Sequence, residues 1–119
     1  MKKVLIADDS LFMRRVLRGI LTDMCRIVEA ESGSTALDEF YREDPDLTLL
    51  DIIMPEGEEE GIRVLTEIKK THPAAKVIMI TAVGQDEVMK RCKELGAIDY
   101  IIKPFGSKQV TDVVKRCLA

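Results

Sequence analysis

The apolar residues of this chain recur in two alternating patterns. Short, largely apolar runs are typical of strands that are buried on both faces of a parallel sheet. These runs are Val4–Ala7, Arg26–Ala30, Leu47–Leu50, Val77–Thr81 and Asp99–Ile102. Each run is followed by a longer segment with apolar residues at helical spacing. Because crossovers between parallel strands are right-handed, five such units predict an α/β fold, a doubly wound five-stranded parallel sheet with helices on both faces.

Capping residues and helix breakers mark the bounds of the predicted helices. The residues predicted to begin the helices are Ser10, Ser32 or Ser34, Gly61, Asp86 and Ser107. Asp44-Pro45 stops the second helix and Gly96 ends the fourth. Phe12 belongs to the apolar repeat of the first helix. Periodicity alone leaves the order of the strands in the sheet open.

Composition and charge narrow the class of protein. Of the 119 residues, 46% are apolar, which suffices for one core, so we expect a single domain over residues 1–119. The net charge of −3 argues against nucleic-acid binding. Between Glu29 and Glu60 there are twelve acidic residues and one basic residue, so one flank of the domain should be acidic.

The cysteines and the N-terminus indicate a cytoplasmic protein. Cys25, Cys92 and Cys117 are widely spaced and form no CxxC pair, which is typical of reduced thiols. The apolar run after the N-terminal lysines is only Val4–Ala7, too short for a signal peptide or a membrane span. We therefore expect no association with a membrane.

Acidic side chains follow two of the predicted strands directly. Asp8 and Asp9 come after the first strand, and Asp51 comes after the third. Because the carboxyl ends of parallel strands meet at one edge of a sheet, these carboxylates should lie close together. A set of this kind predicts Mg²⁺, or Mn²⁺ in its place. The simpler alternative is that Asp8 and Asp9 cap a helix and that Asp51 merely ends a strand.

Two further side chains at the same edge extend the prediction to phosphate chemistry. Thr81 ends the fourth strand and Lys103 follows the fifth. An ammonium and a hydroxyl beside a metal suit a phosphoryl group in transfer, for which a carboxylate can be the nucleophile. The glycine-rich phosphate-binding motifs GxGxxG and GxxxxGK[ST] do not occur.

In combination, these motifs resemble the receiver domain of two-component response regulators. The residues that carry the resemblance are Asp8-Asp9, Asp51 with Met54-Pro55, Thr81-Ala82 and Lys103-Pro104-Phe105. They occur in the family's order and span the whole chain. The opening Asp-Asp-Ser-Leu-Phe-Met-Arg and the expected lack of an output domain look most like the single-domain, CheY-type subgroup. Phe12-Met13-Arg14 and Gly84-Gln85 look more like chemotaxis regulators than like other receivers.

The resemblance implies the strand order 2-1-3-4-5 and a role for each site residue. Asp51 would be the phosphoacceptor. Thr81 and Lys103 would contact the phosphoryl oxygens, and Tyr100 would be the switch aromatic that turns inward as Thr81 moves. The residues implied to ligate Mg²⁺ are Asp9, Asp51 and the Ile53 carbonyl, with Asp8 acting largely through water.

The resemblance also implies partners. A sensor histidine kinase would donate the phosphoryl group, and a downstream target would bind the face made by the fourth helix, fifth strand and fifth helix. The protein would not be an enzyme, beyond promoting its own phosphorylation and dephosphorylation. It would be a monomer or a weak dimer that depends on phosphorylation.

Three departures from the family pattern bear on these expectations. The Glu56–Glu60 loop is about two residues longer than usual, and we interpret it as a solvated loop. Ile53 and Val83 are apolar at positions that the family uses to tune dephosphorylation. Neither can hydrogen-bond a hydrolytic water, so we hypothesise that the phosphorylated form is long-lived.

Other readings of the same residues remain. A phosphorelay intermediate, or a receiver outside chemotaxis, would carry the same site. A haloacid-dehalogenase-type phosphatase would need an aspartate at Ile53, and a flavodoxin would not place Asp8 and Asp9 beside a flavin phosphate. A pseudo-receiver is disfavoured, since no site residue is missing.

On the first helix, Arg14, Arg15 and Arg18 could form part of a kinase docking surface, although solvated charges are the simpler interpretation.

Overall fold

Strands and helices alternate along the whole chain. The computed structural model describes residues 1–119. The strands are β1 (Lys3–Ala7), β2 (Arg26–Ala30), β3 (Leu47–Leu50), β4 (Val77–Thr81) and β5 (Asp99–Ile102). The helices are α1 (Leu11–Leu21), α2 (Gly33–Glu43), α3 (Glu60–Thr71), α4 (Asp86–Glu94) and α5 (Ser107–Leu118). The predicted α/β class and all five strand–helix units are confirmed.

The five strands form one parallel sheet in the order β2-β1-β3-β4-β5. Strand β1 lies between β2 and β3, and its residue Ala7 pairs with Ala30 of β2 and with Leu50 of β3. On the other side, Thr81 of β4 pairs with Ile102 of β5. This is the order that the family resemblance implies, and it brings the carboxyl ends of β1, β3, β4 and β5 to one edge.

Side chains of successive strand residues alternate between two cores. Val4 and Ile6 pack with α1 and α5, whereas Leu5 and Ala7 pack with α2, α3 and α4. The same alternation runs through β4, where Met79 belongs to one core and Ile80 to the other. Helices therefore cover both faces of the sheet, and the central strands β1, β3 and β4 are buried except at Lys3.

The helix ends agree with the sequence at most positions and differ at a few. Ser32, rather than Ser34, caps α2 through a reciprocal capping box with Thr35. Helix α4 ends as predicted before Gly96, whose φ of 109° is readily adopted only by glycine. The prediction that Ser107 caps α5 is wrong, since Gly106 is the cap and Ser107 is the first helical residue. Both residue types are suited to a helix start, so sequence alone does not separate them.

Two apolar or charged positions of α1 also differ from the simple periodic pattern. Phe12 is 74% exposed, although it belongs to the apolar repeat. Arg14 is buried instead, because its guanidinium finds acceptors beneath the helix.

None of the five helices has the length and apolar character needed to cross a membrane. Cys25 and Cys92 are buried free thiols, and Cys117 is partly buried.

Thr48, in the middle of β3, carries the one buried side-chain polar atom without a hydrogen-bond partner. In the sheet it pairs with Leu5 of β1 and Val77 of β4, and the residue is 1% exposed. Thr48→Val replaces the hydroxyl by a methyl group of similar size, so the free energy of unfolding should rise by about 1 kcal/mol. Urea unfolding followed by circular dichroism measures the change. Thr48→Ala, which also removes the γ-methyl group, should instead destabilise by about 1 kcal/mol. A destabilised valine variant would contradict the conclusion that the Thr48 hydroxyl has no hydrogen-bond partner.

Candidate functional site

The carboxyl ends of β1 and β3 bring three carboxylates together. The amide of Asp51 donates to the carbonyl of Ala7 across 3.0 Å, which aligns the ends of the two strands. Carboxylate oxygens of Asp8, Asp9 and Asp51 all lie within 4.8 Å of one another. Asp8 and Asp51 are buried, and Asp9 is exposed at the rim. The structure therefore assembles the acidic set that the strand ends predict.

Lys103 bridges two of these carboxylates. Its Nζ donates to Oδ2 of Asp8 at 2.7 Å and to Oδ2 of Asp51 at 2.8 Å. Burial lowers the pKa of the Lys103 ammonium, but the hydrogen bonds to Asp51 and Asp8 outweigh this and raise it above its ordinary value. Burial likewise raises the pKa of the Asp8 carboxyl, against the lowering effect of its bond to Lys103. The Lys103 ammonium is the one cationic group that pairs with this cluster, and it contacts Asp8 and Asp51 but not Asp9.

Asp8 is oriented by the start of α1. Its Oδ1 accepts from the Ser10 amide at 2.9 Å, and its backbone carbonyl accepts from Nη1 of Arg14 at 2.7 Å. Arg14 also donates to Glu29 at the end of β2, which holds a second bond from Arg18. The interpretation of Arg14 as a solvated charge is therefore wrong. A basic residue one turn after Ser10, opposite an acidic residue on the neighbouring strand, was the sequence signal for this contact.

Thr81 and Tyr100 are linked through one intervening residue. The Thr81 side chain is fully buried, and its hydroxyl accepts from the Val83 amide at 3.3 Å. The Tyr100 hydroxyl donates to the Val83 carbonyl, and its ring points inward with 8% exposure. Burial, with smaller effects from Cys92 and Asp51, raises the pKa of Tyr100 to about 12. The Lys103 amide donates to the Thr81 carbonyl at 2.8 Å, so the ends of β4 and β5 are also joined.

The donor set fits a hard divalent cation. Three carboxylates share one ammonium, which leaves the cluster with excess negative charge. No protein group donates a hydrogen bond to the carboxylate of Asp9 or to the carbonyl of Ile53. Oxygen ligands with room for water are what Mg²⁺ prefers. The residues present therefore fit the Mg²⁺ that the sequence predicts.

The loop after Asp51 approaches the strand end very closely. The Gly61 amide donates to the Ile52 carbonyl at 2.7 Å. A Cβ on Gly61 would lie 1.9 Å from the Asp51 carbonyl oxygen, so only glycine permits this contact. Sequence analysis placed Gly61 at the helix start but gave no indication of this role.

The glutamates of the same loop make specific contacts with neighbouring helices. Glu56 accepts from the amides of Gly33 and Ser34 at the start of α2, both at 2.9 Å. These backbone bonds lower the pKa of the Glu56 carboxyl. Glu59 pairs with Arg91 of α4 at 3.2 Å, and Glu60 pairs with Arg63. Residues 56–59 are all exposed, so the loop is solvated as predicted, and three of its four glutamates also make specific contacts.

Ile53 and Val83 line the same cleft, together with Ile52, the residue that follows Asp51. The cleft has a volume of about 340 Å³ and is lined mainly by apolar side chains from α3, α4 and the loops that follow β3 and β4. Ile53 is 44% exposed. The two residues that the sequence singled out for their apolar character are therefore neighbours along one side of the site.

This fold and this site define a class of signalling domain. A parallel sheet of order 2-1-3-4-5, with two acidic residues after β1, one after β3 and a lysine after β5, is the arrangement of a receiver. The family model for the response regulator receiver domain matches residues 4–115. The chain belongs to this family, as the motifs in its sequence indicate.

Individual relatives are similar over nearly the whole chain. A chemotaxis protein CheY of Halobacterium salinarum is 43% identical, covering 98% of this chain and 97% of that protein. The sporulation initiation phosphotransferase F of Bacillus subtilis is 35% identical, covering 98% and 94%. Among solved structures, the CheX-CheY-BeF3-Mg²⁺ complex from Borrelia burgdorferi matches with a TM-score of 0.92 and 33% identity, covering 99% and 90%.

Gly61→Ala tests the close approach of α3 to Asp51. The added Cβ meets backbone atoms that cannot rotate away, so the variant should lose about 2 kcal/mol of folding free energy. The matched control is Gly57→Ala in the same loop, where a Cβ meets nothing within 4 Å. Urea unfolding of both variants measures the difference. Equal stability of the two alanine variants would contradict the geometry described for Gly61.

Proposed function

We propose that this protein is a cytoplasmic signalling switch that accepts a phosphoryl group on Asp51 from a sensor histidine kinase and changes its partner-binding face in response. The bridge from Lys103 to both Asp8 and Asp51 is the observation that carries the proposal. A lysine held between two buried carboxylates places a cation where a phosphoryl group on Asp51 would bring negative charge. Membership of the receiver family supports the same assignment.

In the transfer step, an Asp51 carboxylate oxygen attacks the phosphorus of the donor phosphohistidine. The new O–P bond forms as the P–N bond breaks, and the histidine nitrogen leaves with the electron pair. Oδ1 of Asp51 accepts from the Ile52 amide at 2.7 Å, and Oδ2 accepts from Lys103. These two bonds hold the carboxylate before attack. Afterwards the Lys103 ammonium exchanges Asp8 for a phosphoryl oxygen.

The proposed ligands for Mg²⁺ are Asp9, Asp51 and the Ile53 carbonyl, with Asp8 acting through water. Bound Mg²⁺, or Mn²⁺, would neutralise part of the charge that develops on the phosphoryl oxygens. The three carboxylates support this assignment, because their oxygens lie within 4.8 Å of one another. Beyond this self-directed chemistry we propose no turnover of a separate substrate, so the protein is a switch and not an enzyme.

The proposed signal runs from Thr81 to Tyr100. A phosphoryl oxygen would draw the Thr81 hydroxyl away from the Val83 amide, and Val83 also holds the Tyr100 hydroxyl. A shift of this segment changes the packing of Tyr100 between two discrete positions. Tyr100 lies on β5 between α4 and α5, so the change reaches the face proposed to bind the downstream target. We propose a monomer, or a weak dimer formed on phosphorylation.

A chemotaxis role is the favoured form of this proposal. The relative of 43% identity is a chemotaxis protein, which supports it. A phosphorelay intermediate is the second candidate, because the sporulation phosphotransferase is 35% identical over almost the same span. The two roles differ in the partner that follows phosphorylation and not in the site, so the residues assigned above serve either role.

Phosphorylation at Asp51 can be measured directly. Incubation with acetyl phosphate and Mg²⁺ should add one phosphoryl group to the intact mass, and Asp51→Asn should abolish the gain. Chelation of Mg²⁺ should also abolish it, since the charge in the cluster would then go uncompensated. Asp38→Asn, an exposed carboxylate on α2, is the matched control and should react as the wild type does. An unmodified wild type in the presence of Mg²⁺ would refute the proposed function.

The lifetime of the phosphoryl group tests the roles of Ile53 and Val83. Ile53→Asn introduces an amide that can orient a water beside the acyl phosphate, so loss of phosphate should accelerate about tenfold, or about 1.4 kcal/mol of activation free energy. Release of inorganic phosphate from the purified phosphorylated protein measures the rate. Ile98 is also an exposed isoleucine, but it lies just before β5, at the edge of the sheet opposite to the site. Ile98→Asn should therefore leave the rate unchanged. Equal rates for wild type and Ile53→Asn would contradict the hypothesis that an apolar residue at this position prolongs the lifetime of the phosphoryl group.

A further inference from the structure

Three glutamates between β3 and the first turn of α3 have specific partners, and Glu56 differs from the other two. Glu59 and Glu60 pair with half-exposed side chains of arginines. Glu56 accepts two hydrogen bonds from the backbone amides of Gly33 and Ser34, which are the first two residues of α2. Its partners therefore belong to the rigid frame of another helix.

The amides at the start of α2 all have acceptors, and Glu56 supplies two of these acceptors. The first four amides of a helix have no partner within the helix. Glu56 accepts from Gly33 and Ser34, the Ser32 hydroxyl accepts from Thr35 at 3.1 Å, and the Thr35 hydroxyl accepts from Ser32 at 3.0 Å. A carboxylate is favoured here, because the positive end of the helix dipole adds to the two bonds. The contact thus ties the loop to α2 by charge and by geometry.

Glu56 lies three residues after Ile53, the residue whose carbonyl is the proposed ligand. Between them, Met54 is buried in the core, and Met54 and Gly57 exchange two backbone hydrogen bonds of 3.1 and 3.0 Å. Glu56 sits inside this small bridge. Before Ile53, the Asp51 amide is bonded to β1. The segment Asp51–Gly57 is therefore held at both ends, by β1 on one side and by α2 on the other.

The charge of the loop favours such a contact. Glu58, Glu59 and Glu60 follow in succession, and like charges in one short segment repel each other and favour open conformations. Gly33 lets the loop lie close, since a Cβ there would meet Glu60 Oε2 at 2.1 Å. The bonds from α2 thus add to the buried Met54 side chain and hold the exposed part of the segment in place.

We propose that Glu56 is a positioning residue, whose bonds to α2 fix the segment Asp51–Gly57 and so place the Ile53 carbonyl at the metal site. The inference deepens the proposed function and rests on it for the identity of the metal. Glu56 itself contacts neither the phosphoryl group nor the metal. Its effect is on the geometry of the loop that the metal uses.

Hydrogen exchange in the metal-free protein tests the positioning directly. The amides of Met54 and Gly57 are the two protons of the bridge, and both should exchange at least about fivefold faster in Glu56→Ala. Glu56→Gln keeps one acceptor oxygen at the same length and should restore part of the protection. Amides in the centre of α2, such as that of Ala36, should change little, because Ser32 still caps the helix. Faster exchange confined to α2 would overturn the proposal and leave Glu56 as a helix cap alone.

Mg²⁺ binding, followed by calorimetry, supplies the second measurement. Glu56→Ala should raise the Mg²⁺ dissociation constant about tenfold, as expected when a contact behind a ligand is lost. Glu58→Ala is the matched control, because it removes the same charge from the same loop at an exposed residue with no hydrogen bond. Its dissociation constant should stay within about twofold of the wild type.

The outcomes separate this inference from the proposed function. If wild type and Glu56→Ala bind Mg²⁺ equally, the positioning role is refuted and the proposed function stands. If Glu58→Ala weakens binding as much as Glu56→Ala, the effect is one of charge and the positioning role is again refuted. If the wild type binds no Mg²⁺, the proposed metal site fails, and the exchange rates of Met54 and Gly57 alone decide whether Glu56 fixes the loop.

Discussion

The site depends on a single ammonium group held between two buried carboxylates. Asp8 and Asp51 are each almost fully buried, and two such charges would repel strongly at this distance. Lys103 lies within 2.8 Å of both, so it neutralises the pair and also joins the ends of β1, β3 and β5. A buried charge network of this kind contributes little to stability on balance, because desolvation offsets much of the attraction. Under the proposed function, the network holds Lys103 and Asp8 in positions that a phosphoryl group on Asp51 would change.

The rest of the fold serves to bring these three side chains to one edge. Alternating burial on two cores fixes the register of each strand, since a slip by one residue would turn Asp51 or Lys103 away from the site. Arg14 and Ser10 then orient Asp8, and Gly61 lets α3 begin directly beneath Asp51. These local contacts thus set the orientation of the side chains that the sheet topology brings to one edge.

The apolar pattern was sufficient for the five strand–helix units and for the acidic and basic strand ends, whereas the strand order came from the family resemblance. Asp8, Asp9, Asp51 and Lys103 could be predicted because each comes directly after an apolar run, and parallel strands share one edge. The contacts of Glu56 could not be predicted, because its partners are backbone amides that lie 23 and 22 residues earlier and become neighbours only in the folded chain. The burial of Arg14 was hidden for a similar reason, since a periodic pattern counts arginine as polar and says nothing of an acceptor beneath the helix. The roles of Asp51, Thr81 and Tyr100 in phosphorylation stay predictions, which the geometry supports.

The central claim is that Lys103 exchanges Asp8 for a phosphoryl oxygen on Asp51. The most direct measurement is a crystal structure of the protein with Mg²⁺ and beryllofluoride, a stable mimic of the phosphoryl group. We predict beryllofluoride bonded to an oxygen of Asp51, with Lys103 Nζ in contact with a fluorine atom and separated from Asp8. A beryllofluoride group on Asp51 with Lys103 still bridging Asp8 and the Asp51 carboxyl group would contradict it.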